Sequence, residues 1–399
     1  MKDKSKVILI RNARVHAPFA LETQGWVLIE DRKISRTGGG QPPAFAPGAV
    51  DVSLDAQDFD LLPGMIDIHA HGADGCETMD ADPSGLEKMA RFFASHGVTS
   101  FLAATWSAPH KKILVALDTI KAVAGKQAGG ATILGAYLEG PYLNPARAGA
   151  QSRSSIRKPD PAEFMEYLEK DVIKVAVIAP EISGVDEFIA ECKKRDIVVS
   201  AGHCQPTFEE MRSVVEKGVS LITHTFNGMA PFEHRNPGIL GAAFLFPELN
   251  CELIADRLHV HPAAMQVLYR LKSAHRIILM TDSVRPNGLE EGKFAIGDQK
   301  VVYKDQQIRL SDGTLAGSSL TMERALRNFM QDTKASLADV WQCSSANAAR
   351  VLGISDTRGS IEAGMDADLV LLDADFRVRM TMVAGEVVFS NDLPGIWRN

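Results

Sequence analysis

The feature that most constrains the fold is a regular alternation of short apolar runs and amphipathic segments through the middle of the chain. Eight runs are typical of buried strands, near residues 65–69, 98–104, 133–138, 172–179, 197–201, 219–223, 252–255 and 277–281. Eight β/α units over roughly 300 residues are the size and rhythm of a (β/α)8 TIM barrel. A doubly wound open sheet is the alternative, but it needs a Gly-rich phosphate turn after its first strand, which this sequence lacks. We therefore predict an α/β fold built on a TIM barrel.

Helix signals between the runs support this prediction. Residues 84–96 carry apolar side chains at the i, i+3, i+4, i+7 spacing of one helix face, and Gly97 follows as a stop signal. Thr207 and Glu210 have the spacing of a capping box, which marks the start of another helix. Residues 321–332 repeat the apolar pattern, so they predict a further helix after the last strand.

Short alternating runs at both ends of the chain predict a β-rich unit outside the barrel. These runs are residues 6–16, 25–35, 49–57 and 361–388. We predict one small β-sandwich domain from residues 1–60 and 361–399, antiparallel in its N-terminal part, and a barrel domain over 61–360. Residues 295–310 alternate like a hairpin and are expected to be inserted after strand eight.

Composition excludes several classes of protein. A net charge of −7 over 399 residues leaves no basic footprint, so nucleic acid is not an expected partner. The sequence has no run of about 18 apolar residues, so we expect no membrane span. The first ten residues are too charged for a secretory signal. Five widely spaced cysteines without a CxxC pair indicate reduced thiols in a cytoplasmic protein.

Residue types that bind metals stand at the ends of five of the eight predicted strands. His69 and His71 end strand one, and residues i and i+2 of a strand share a face, so both imidazoles point the same way. The other strand ends carry Glu139 on strand three, His203 on strand five, His224 on strand six and Asp282 on strand eight, while strand seven leads to His259. Barrels of this kind build their active sites at these strand ends, so the pattern predicts a metal centre.

The ligand types favour zinc, with iron, cobalt or manganese as alternatives, because Ca²⁺ and Mg²⁺ prefer all-oxygen ligands. Glu139, His203 and His224 complete a three-ligand site that leaves one position open for water. A second set of ligands would consist of His69, His71, Asp282 and one oxygen of Glu139. We therefore expect one or two divalent metal ions per chain.

Each of these residues also has an ordinary structural interpretation. Glu139 follows an apolar strand and precedes Gly-Pro, where a solvated loop acid is the alternative. His203 or His224 alone would favour a hydrogen-bonded core histidine, and Asp282 alone an N-cap or turn aspartate. Within a metal centre, Asp282 would instead take a proton from the attacking water.

Nine segments, taken together, resemble the amidohydrolase superfamily and, within it, the N-acetylglucosamine-6-phosphate deacetylase family. They are LPGMIDIHAHG, YLEGPYLN, SAGHCQPT, THTFNGM, HRNPG, IADRLHV, MTDSV, LAGSSLTM and GSIEAGMDADLVLLD. The resemblance covers nearly the whole chain. It implies a homodimer that hydrolyses the N-acetyl group of an amino-sugar 6-phosphate. It also implies that Glu139, His203 and His224 hold the main metal and that Asp282 is the general base and acid.

The same resemblance implies contacts to the substrate. His259 would touch the sugar near the scissile amide, and Arg235 would clamp the phosphate across the dimer interface. A guanidinium on a loop bounded by Gly and Pro suits that role, and a solvated surface arginine is the alternative. The remaining implied contacts are Ala150, Gln151, Asn227, Gly228, Leu315, Ala316, Gly317 and Ser318.

Two residues depart from the pattern of the family and leave the sugar open. Gln151 stands where a histidine is frequent, and Arg257 stands where a glycine is usual. Glutamine can hydrogen-bond a sugar hydroxyl but carries no positive charge. The alternatives are therefore N-acetylgalactosamine 6-phosphate as substrate, or another amide or cyclic amide on the same barrel. A non-catalytic scaffold would be expected to have lost ligands, whereas this chain keeps all of them.

Overall fold

The computed structural model describes residues 6–18, 20–57, 59–125, 129–391 and 397–398. The outer ends of the predicted terminal domain, residues 1–5, 392–396 and 399, lie outside this description. Among the described helices, none has the length and apolar character needed to cross a membrane.

The described strands occur at both ends of the chain and throughout its middle. They are β1 (Val7–Ala17), β2 (Ala20–Glu30), β3 (Lys33–Gly39), β4 (Val52–Asp55), β5 (Asp60–Pro63), β6 (Met65–Ala70), β7 (Gly72–Ala73), β8 (Cys76–Glu77), β9 (Val98–Ala104), β10 (Thr132–Leu138), β11 (Ile173–Ile178), β12 (Val198–Ala201), β13 (Val219–Ile222), β14 (Asn250–Leu253), β15 (Ile277–Leu279), β16 (Gly292–Ile296), β17 (Gln299–Lys304), β18 (Gln307–Leu310), β19 (Leu369–Leu372), β20 (Val378–Val383), β21 (Glu386–Ser390) and β22 (Trp397–Arg398).

The described α-helices follow the middle strands. They are α1 (Pro83–Ser95), α2 (His110–Val123), α3 (Pro161–Leu168), α4 (Val185–Lys193), α5 (Phe208–Lys217), α6 (Gly238–Leu245), α7 (Pro262–Lys272), α8 (Met322–Thr333), α9 (Leu337–Val340) and α10 (Ala346–Val351). Short 3-10 helices span Thr78–Asp80, Pro145–Arg147, Ala274–Arg276 and Trp341–Ser344.

Eight parallel strands form the barrel in the order β15-β14-β13-β12-β11-β10-β9-β6, which confirms the predicted (β/α)8 architecture. Buried Asp67 on β6 helps to close the ring. Its carboxylate accepts hydrogen bonds from the backbone N–H and the hydroxyl of Thr281, 3.2 and 2.5 Å away. Beyond that point the N–H of Asp282 donates to the carbonyl of His69 over 2.9 Å. Strands one and eight therefore meet directly beneath the predicted metal ligands.

Strands from both termini join in one nine-stranded sheet, so the β-rich unit predicted from the two ends of the chain is present. Its strand β19 alternates between two cores, as the period of two of a strand requires. Leu369 and Leu371 pack in the core of the terminal sheet, whereas Val370 and Leu372 pack against the barrel. The chain leaves this sheet at the end of β5 and enters the barrel two residues later, at Met65.

Several local predictions hold at the level of single residues. Helix α1 buries Leu86, Met89 and Phe93, which share the predicted apolar face. Helix α5 begins at the predicted capping box, in which Thr207 and Glu210 each bond the backbone N–H of the other. These features depend on neighbours within a turn or two, so the sequence contains enough information to predict them.

Three local predictions need correction. The insertion after strand eight is a three-stranded antiparallel sheet, β16-β17-β18, and not a two-stranded hairpin. Strand β1 pairs in parallel with β4 and β5, because the Gly- and Pro-rich stretch 40–51 carries the chain back across the sheet. Strand β14 ends at Leu253, two residues earlier than predicted. Just beyond it, the side-chain amide of Asn328 donates a hydrogen bond to the carbonyl of Ala255.

Candidate metal-dependent active site

One buried carboxylate, that of Glu139 at the end of β10, lies among four imidazoles. Its Oε1 is 3.1 Å from Nε2 of both His203 and His224, and 3.5 Å from Nε2 of His69. Its Oε2 is 3.2 Å from Nε2 of His71. The structure thus brings together the one glutamate and four histidines that the sequence predicted as metal ligands, and Glu139 faces both histidine pairs.

The hydrogen bonds of His203 and His224 indicate which ring nitrogen of each side chain can bind a cation. Nδ1 of His203 is 2.8 Å from the carbonyl of Arg147, and Nδ1 of His224 is 3.1 Å from the carbonyl of Asn227. A carbonyl only accepts, so each Nδ1 donates its hydrogen, and Nε2 is the ring nitrogen left to bind a cation. These two Nε2 atoms lie 3.1 Å apart and face Glu139. Converging lone pairs with a carboxylate fit a divalent cation.

A second cluster adjoins the first. Nε2 of His69 and Nε2 of His71 are 3.2 Å apart, and Oδ1 of Asp282 lies 3.4 Å from the latter and 3.8 Å from the former. Nδ1 of His69 is 3.2 Å from a carboxylate oxygen of Glu252, which leaves its Nε2 free to bind a cation. With the second oxygen of Glu139, this donor set also fits a divalent metal.

The carboxylates of the site are held in their charged form. Burial by itself raises the pKa of Glu139, but the charges and hydrogen bonds of the surrounding imidazoles outweigh it and keep that pKa well below its ordinary value. Burial acts in the same direction on Asp282, and His71 and His69 again outweigh it, so its pKa is lowered as well. Both groups can therefore act as ligands or proton acceptors near neutral pH.

Three of the site residues adopt left-handed backbone conformations that side chains rarely favour. The φ angles are 47° at His203, 29° at His224 and 49° at Asp282. Such conformations cost energy and tend to occur where function requires a particular side-chain direction. Here each one turns the chain at the end of a barrel strand, so that the side chain points into the centre.

His259 lies at the edge of the same site and is tied to Asp256. Its Nδ1 is 2.6 Å from Oδ2 of Asp256. Burial alone would lower the pKa of His259, but the hydrogen bond and charge of Asp256, with a further contribution from Asp282, raise it. The ring therefore tends to carry a positive charge, which suits a donor to a developing oxyanion.

A cavity of about 190 Å³ opens above these groups. The lining includes Glu139, His203, His224, Asp282 and His259, and six further lining residues are Trp106, Ala150, Asn227, Gly228, Leu315 and Gly317. Five of these six were predicted substrate contacts. The cavity has the volume of a small polar molecule and opens directly onto the carboxylate of Asp282.

Gln151 occupies a different place from the one predicted. Its side-chain N–H donates to Oε2 of Glu139, and its Oε1 accepts a 2.7 Å bond from the backbone N–H of Ser107. Both ends of the amide are thus used within the protein, and the residue is buried. Gln151 braces the carboxylate of Glu139 in this structure and does not line the cavity.

Three other predicted contacts do not line this cavity in the described chain. Ala316 and Ser318 are buried, and the hydroxyl of Ser318 donates to the carbonyl of Thr281 over 2.5 Å. Arg235 is exposed, and its backbone N–H bonds the carboxylate of Glu233. Ala316 and Ser318 therefore support the wall from behind, while Arg235 points to solvent in a single chain.

Three residues that shape the site were not predicted from the sequence. Glu252 on β14 accepts from the backbone N–H of His224 over 3.0 Å and bonds His69, so it orients two ligands. Trp106 stacks on His71 with ring centroids 3.7 Å apart. Asp67 closes the barrel. An acid inside an apolar strand was the available signal for Glu252 and Asp67, because such acids are rarely buried without a partner.

Comparison with known proteins places this geometry in a family. Residues 61–388 match the amidohydrolase family, and the chain belongs to it. N-acetylglucosamine-6-phosphate deacetylase of Bacillus subtilis (strain 168) is 38% identical over 387 residues, 96% of this chain and 97% of that protein. Within the amidohydrolases, the chain therefore falls among the N-acetylglucosamine-6-phosphate deacetylases.

Solved structures agree with this placement. The structure of N-acetylglucosamine-6-phosphate deacetylase from Thermotoga maritima has a TM-score of 0.86 and 37% identity, covering 96% of this chain and 100% of that one. A mutant of the enzyme from Mycobacterium smegmatis, in complex with N-acetyl-D-glucosamine-6-phosphate, has a TM-score of 0.90 and 28% identity over the same shares. The likeness extends over both the barrel and the terminal sheet.

Proposed function

We propose that this chain hydrolyses the N-acetyl group of N-acetylglucosamine 6-phosphate, giving glucosamine 6-phosphate and acetate. The observation that carries the proposal is the convergence of Glu139, two histidine pairs and Asp282 at the floor of one cavity. The choice of sugar is supported by the similarity of this chain, over nearly its whole length, to deacetylases of N-acetylglucosamine 6-phosphate. N-acetylgalactosamine 6-phosphate remains the alternative substrate. The amide of Gln151 bonds Glu139 and does not face the cavity, so Gln151 gives no reason to prefer one sugar over the other.

We propose zinc as the metal, with iron, cobalt or manganese as alternatives. Glu139, His203 and His224 would hold one ion, and His69, His71 and Asp282 would hold a second beside it. A bound divalent ion would supply positive charge that lowers the pKa of water and polarises the acetyl carbonyl. The donor set supports this assignment, since imidazole and carboxylate together suit these metals better than Ca²⁺ or Mg²⁺.

Asp282 and His259 then perform the proton transfer and the charge stabilisation. The carboxylate of Asp282 accepts a proton from water as the water oxygen bonds to the carbonyl carbon of the acetyl group. Nε2–H of His259 donates to the oxygen that becomes negative. The carbon–nitrogen bond breaks, its electron pair goes to nitrogen, and Asp282 returns the proton to the leaving amine.

Substrate binding in this proposal uses residues of two chains. Asn227, Gly228, Leu315 and Gly317 line the cavity and would contact the sugar. Arg235 is exposed and lies away from the cavity lining, which is consistent with an arginine that reaches the phosphate of a partner chain in a homodimer. We also propose a cytoplasmic location, since the five cysteines are free.

Acetate release from a panel of sugars tests this function. The zinc-reconstituted protein should release acetate faster from N-acetylglucosamine 6-phosphate than from the unphosphorylated sugar, because Arg235 would bind the phosphate. N-acetylglucosamine without a phosphate is the comparison for phosphate recognition. N-acetylgalactosamine 6-phosphate is the comparison for the choice of sugar. A higher kcat/KM for the galactosamine epimer would make N-acetylgalactosamine 6-phosphate the preferred substrate in place of N-acetylglucosamine 6-phosphate. Release from neither phosphate ester would reject the deacetylase proposal altogether.

A further inference from the structure

A second cavity, much larger than the catalytic one, lies between helix α8, the loop after β14 and the turn between β19 and β20. Its volume is about 710 Å³, within the range of small-molecule sites. Four arginines line it: Arg257, Arg324, Arg327 and Arg377. Neither the mechanism above nor the family comparison uses this cavity.

The four guanidinium groups differ in how they are neutralised. Arg257 is held by both carboxylate oxygens of Asp332, 2.8 and 3.0 Å away. Arg324 donates to the carbonyl of Ser319 and to the side chain of Gln306, both uncharged partners.

The other two arginines have weaker partners or none. Arg377 lies 3.7 Å from Asp375, and 70% of its side chain is exposed. Across the described residues, the half-buried Arg327 makes no ion pair or hydrogen bond through its guanidinium. The cavity therefore holds more positive charge than its own acids balance, and arginine forks match phosphate oxygens in geometry.

One largely buried acid borders the same space. Glu323 lines the cavity, and its Oε1 is used by His96 and Thr321, at 3.0 and 2.8 Å. Its Oε2 is buried and has no hydrogen-bond partner among the described residues. That oxygen is inaccessible to solvent, so a ligand in the cavity does not reach it. The side chain of Phe376 adds an apolar wall against which a ring could pack.

We propose that this cavity is a binding site for a phosphate monoester, such as a sugar phosphate. The phosphate lies against Arg327 and Arg377, and the rest of the ligand packs against Phe376. This site is separate from the catalytic cavity, because none of its lining residues is shared with it.

Isothermal titration of the zinc-loaded protein with glucose 6-phosphate tests the proposal, since that sugar has no amide to hydrolyse. The wild type should show a class of sites that Arg327→Gln weakens about tenfold or more. Arg377→Gln should weaken the same class, and it repeats the test at an exposed position if the half-buried Arg327→Gln fails to fold. Arg212→Gln is the matched control, because Arg212 lies against Phe208, outside the cavity.

The outcomes separate this site from the catalytic one. Two classes of sites in the wild type and one in Arg327→Gln support the cavity. A single class in the wild type that Arg327→Gln removes also supports it, and counts against sugar-phosphate binding in the catalytic pocket. Identical titrations for the wild type, Arg327→Gln and Arg377→Gln overturn the proposal.

Discussion

At the scale of single residues, the four candidate ligand histidines are oriented in two different ways. His69, His203 and His224 each place Nδ1 against an oxygen acceptor, which sets the tautomer and directs Nε2 to the centre. His71 has no partner at Nδ1 among the described residues, and the ring of Trp106 stacks on it instead. The orientation of His71 therefore depends on packing, and that of the other three on hydrogen bonds.

Asp282→Asn should lower kcat by about 100-fold or more, because the amide cannot accept a proton from water. The substitution conserves shape, so the melting temperature and the metal held by Glu139, His203 and His224 should stay close to wild type. Steady-state acetate release with metal analysis makes the measurement. Asp312→Asn, at an exposed loop position, is the control. A kcat within tenfold of wild type would remove Asp282 from the role of base.

The second cluster predicts metal stoichiometry. After reconstitution with excess Zn²⁺, the wild type should bind about two equivalents per chain. A His69→Gln, His71→Asn double variant should bind about one, because the ligands Glu139, His203 and His224 remain. Elemental analysis after gel filtration gives the counts. About one equivalent in both proteins would mean that the first histidine pair only hydrogen-bonds around a single ion.

At the scale of elements, a charge cluster joins the parallel strands β1 and β5. Arg14 donates to both carboxylate oxygens of Asp60, at 2.9 and 2.8 Å, and His16 lies 2.8 Å from the same carboxylate. Burial acts to raise the pKa of Asp60, but the hydrogen bonds and charges of His16 and Arg14 outweigh it and lower that pKa. The charged form is thus favoured by folding.

Asp60→Asn should lower the free energy of unfolding by about 1.5–3 kcal/mol at pH 7, the usual contribution of a charged hydrogen-bonded group. The folded pKa lies below the unfolded one, so this stability is present above the unfolded value and is lost as pH falls through the folded value. Urea unfolding at a series of pH values should show the gap to wild type closing on acidification. The exposed Asp375→Asn is the control, and a gap that does not depend on pH would contradict the assignment.

At the scale of the whole molecule, no lysine or arginine lines the catalytic cavity of a single chain among the residues that the structure describes. Arg235, proposed for that role, is exposed on the loop before α6 and lies outside the cavity lining. A homodimer with two-fold symmetry would let each chain supply the arginine of the other. The sequence predicted domain boundaries after residues 60 and 360; because β5 pairs with β19 in the terminal sheet, we propose that the first boundary lies at Gly64 and keep the second near residue 361.

Mixed dimers test the shared site. Arg235→Ala and Asp282→Asn should each be nearly inactive with the phosphorylated substrate. When the two variants are co-expressed in one cell, some dimers contain one chain of each variant. In such a hybrid, the active site of the Arg235→Ala chain keeps its own Asp282 and receives Arg235 from the other chain. With random pairing, activity should recover to roughly a quarter of wild type per chain. Activity equal to the sum of the two separate variants would show that Arg235 acts within its own chain or not at all.

The sequence by itself determined the order and type of most elements, for physical reasons that are local. Apolar periodicity depends on the pitch of one helix or strand, and the capping box of α5 spans only Thr207 to Glu210. The strand-end ligands were predictable because eight parallel strands must deliver their C-terminal residues to one rim. The extra strand β18 and the parallel pairing of β1 were not predicted, since strand partners are chosen by distant segments.

Only the tertiary structure decided how the ligands are held. Glu252 reaches His69 across 183 positions of sequence, and Asp67 reaches Thr281 across 214. Gln151 was expected to meet the sugar, but closure of the barrel brings its amide against Glu139. A buried polar group must find its partner wherever packing places one, and no local pattern encodes that choice. Local periodicity therefore specified which residues meet at the centre, and long-range packing specified which of them orient the others.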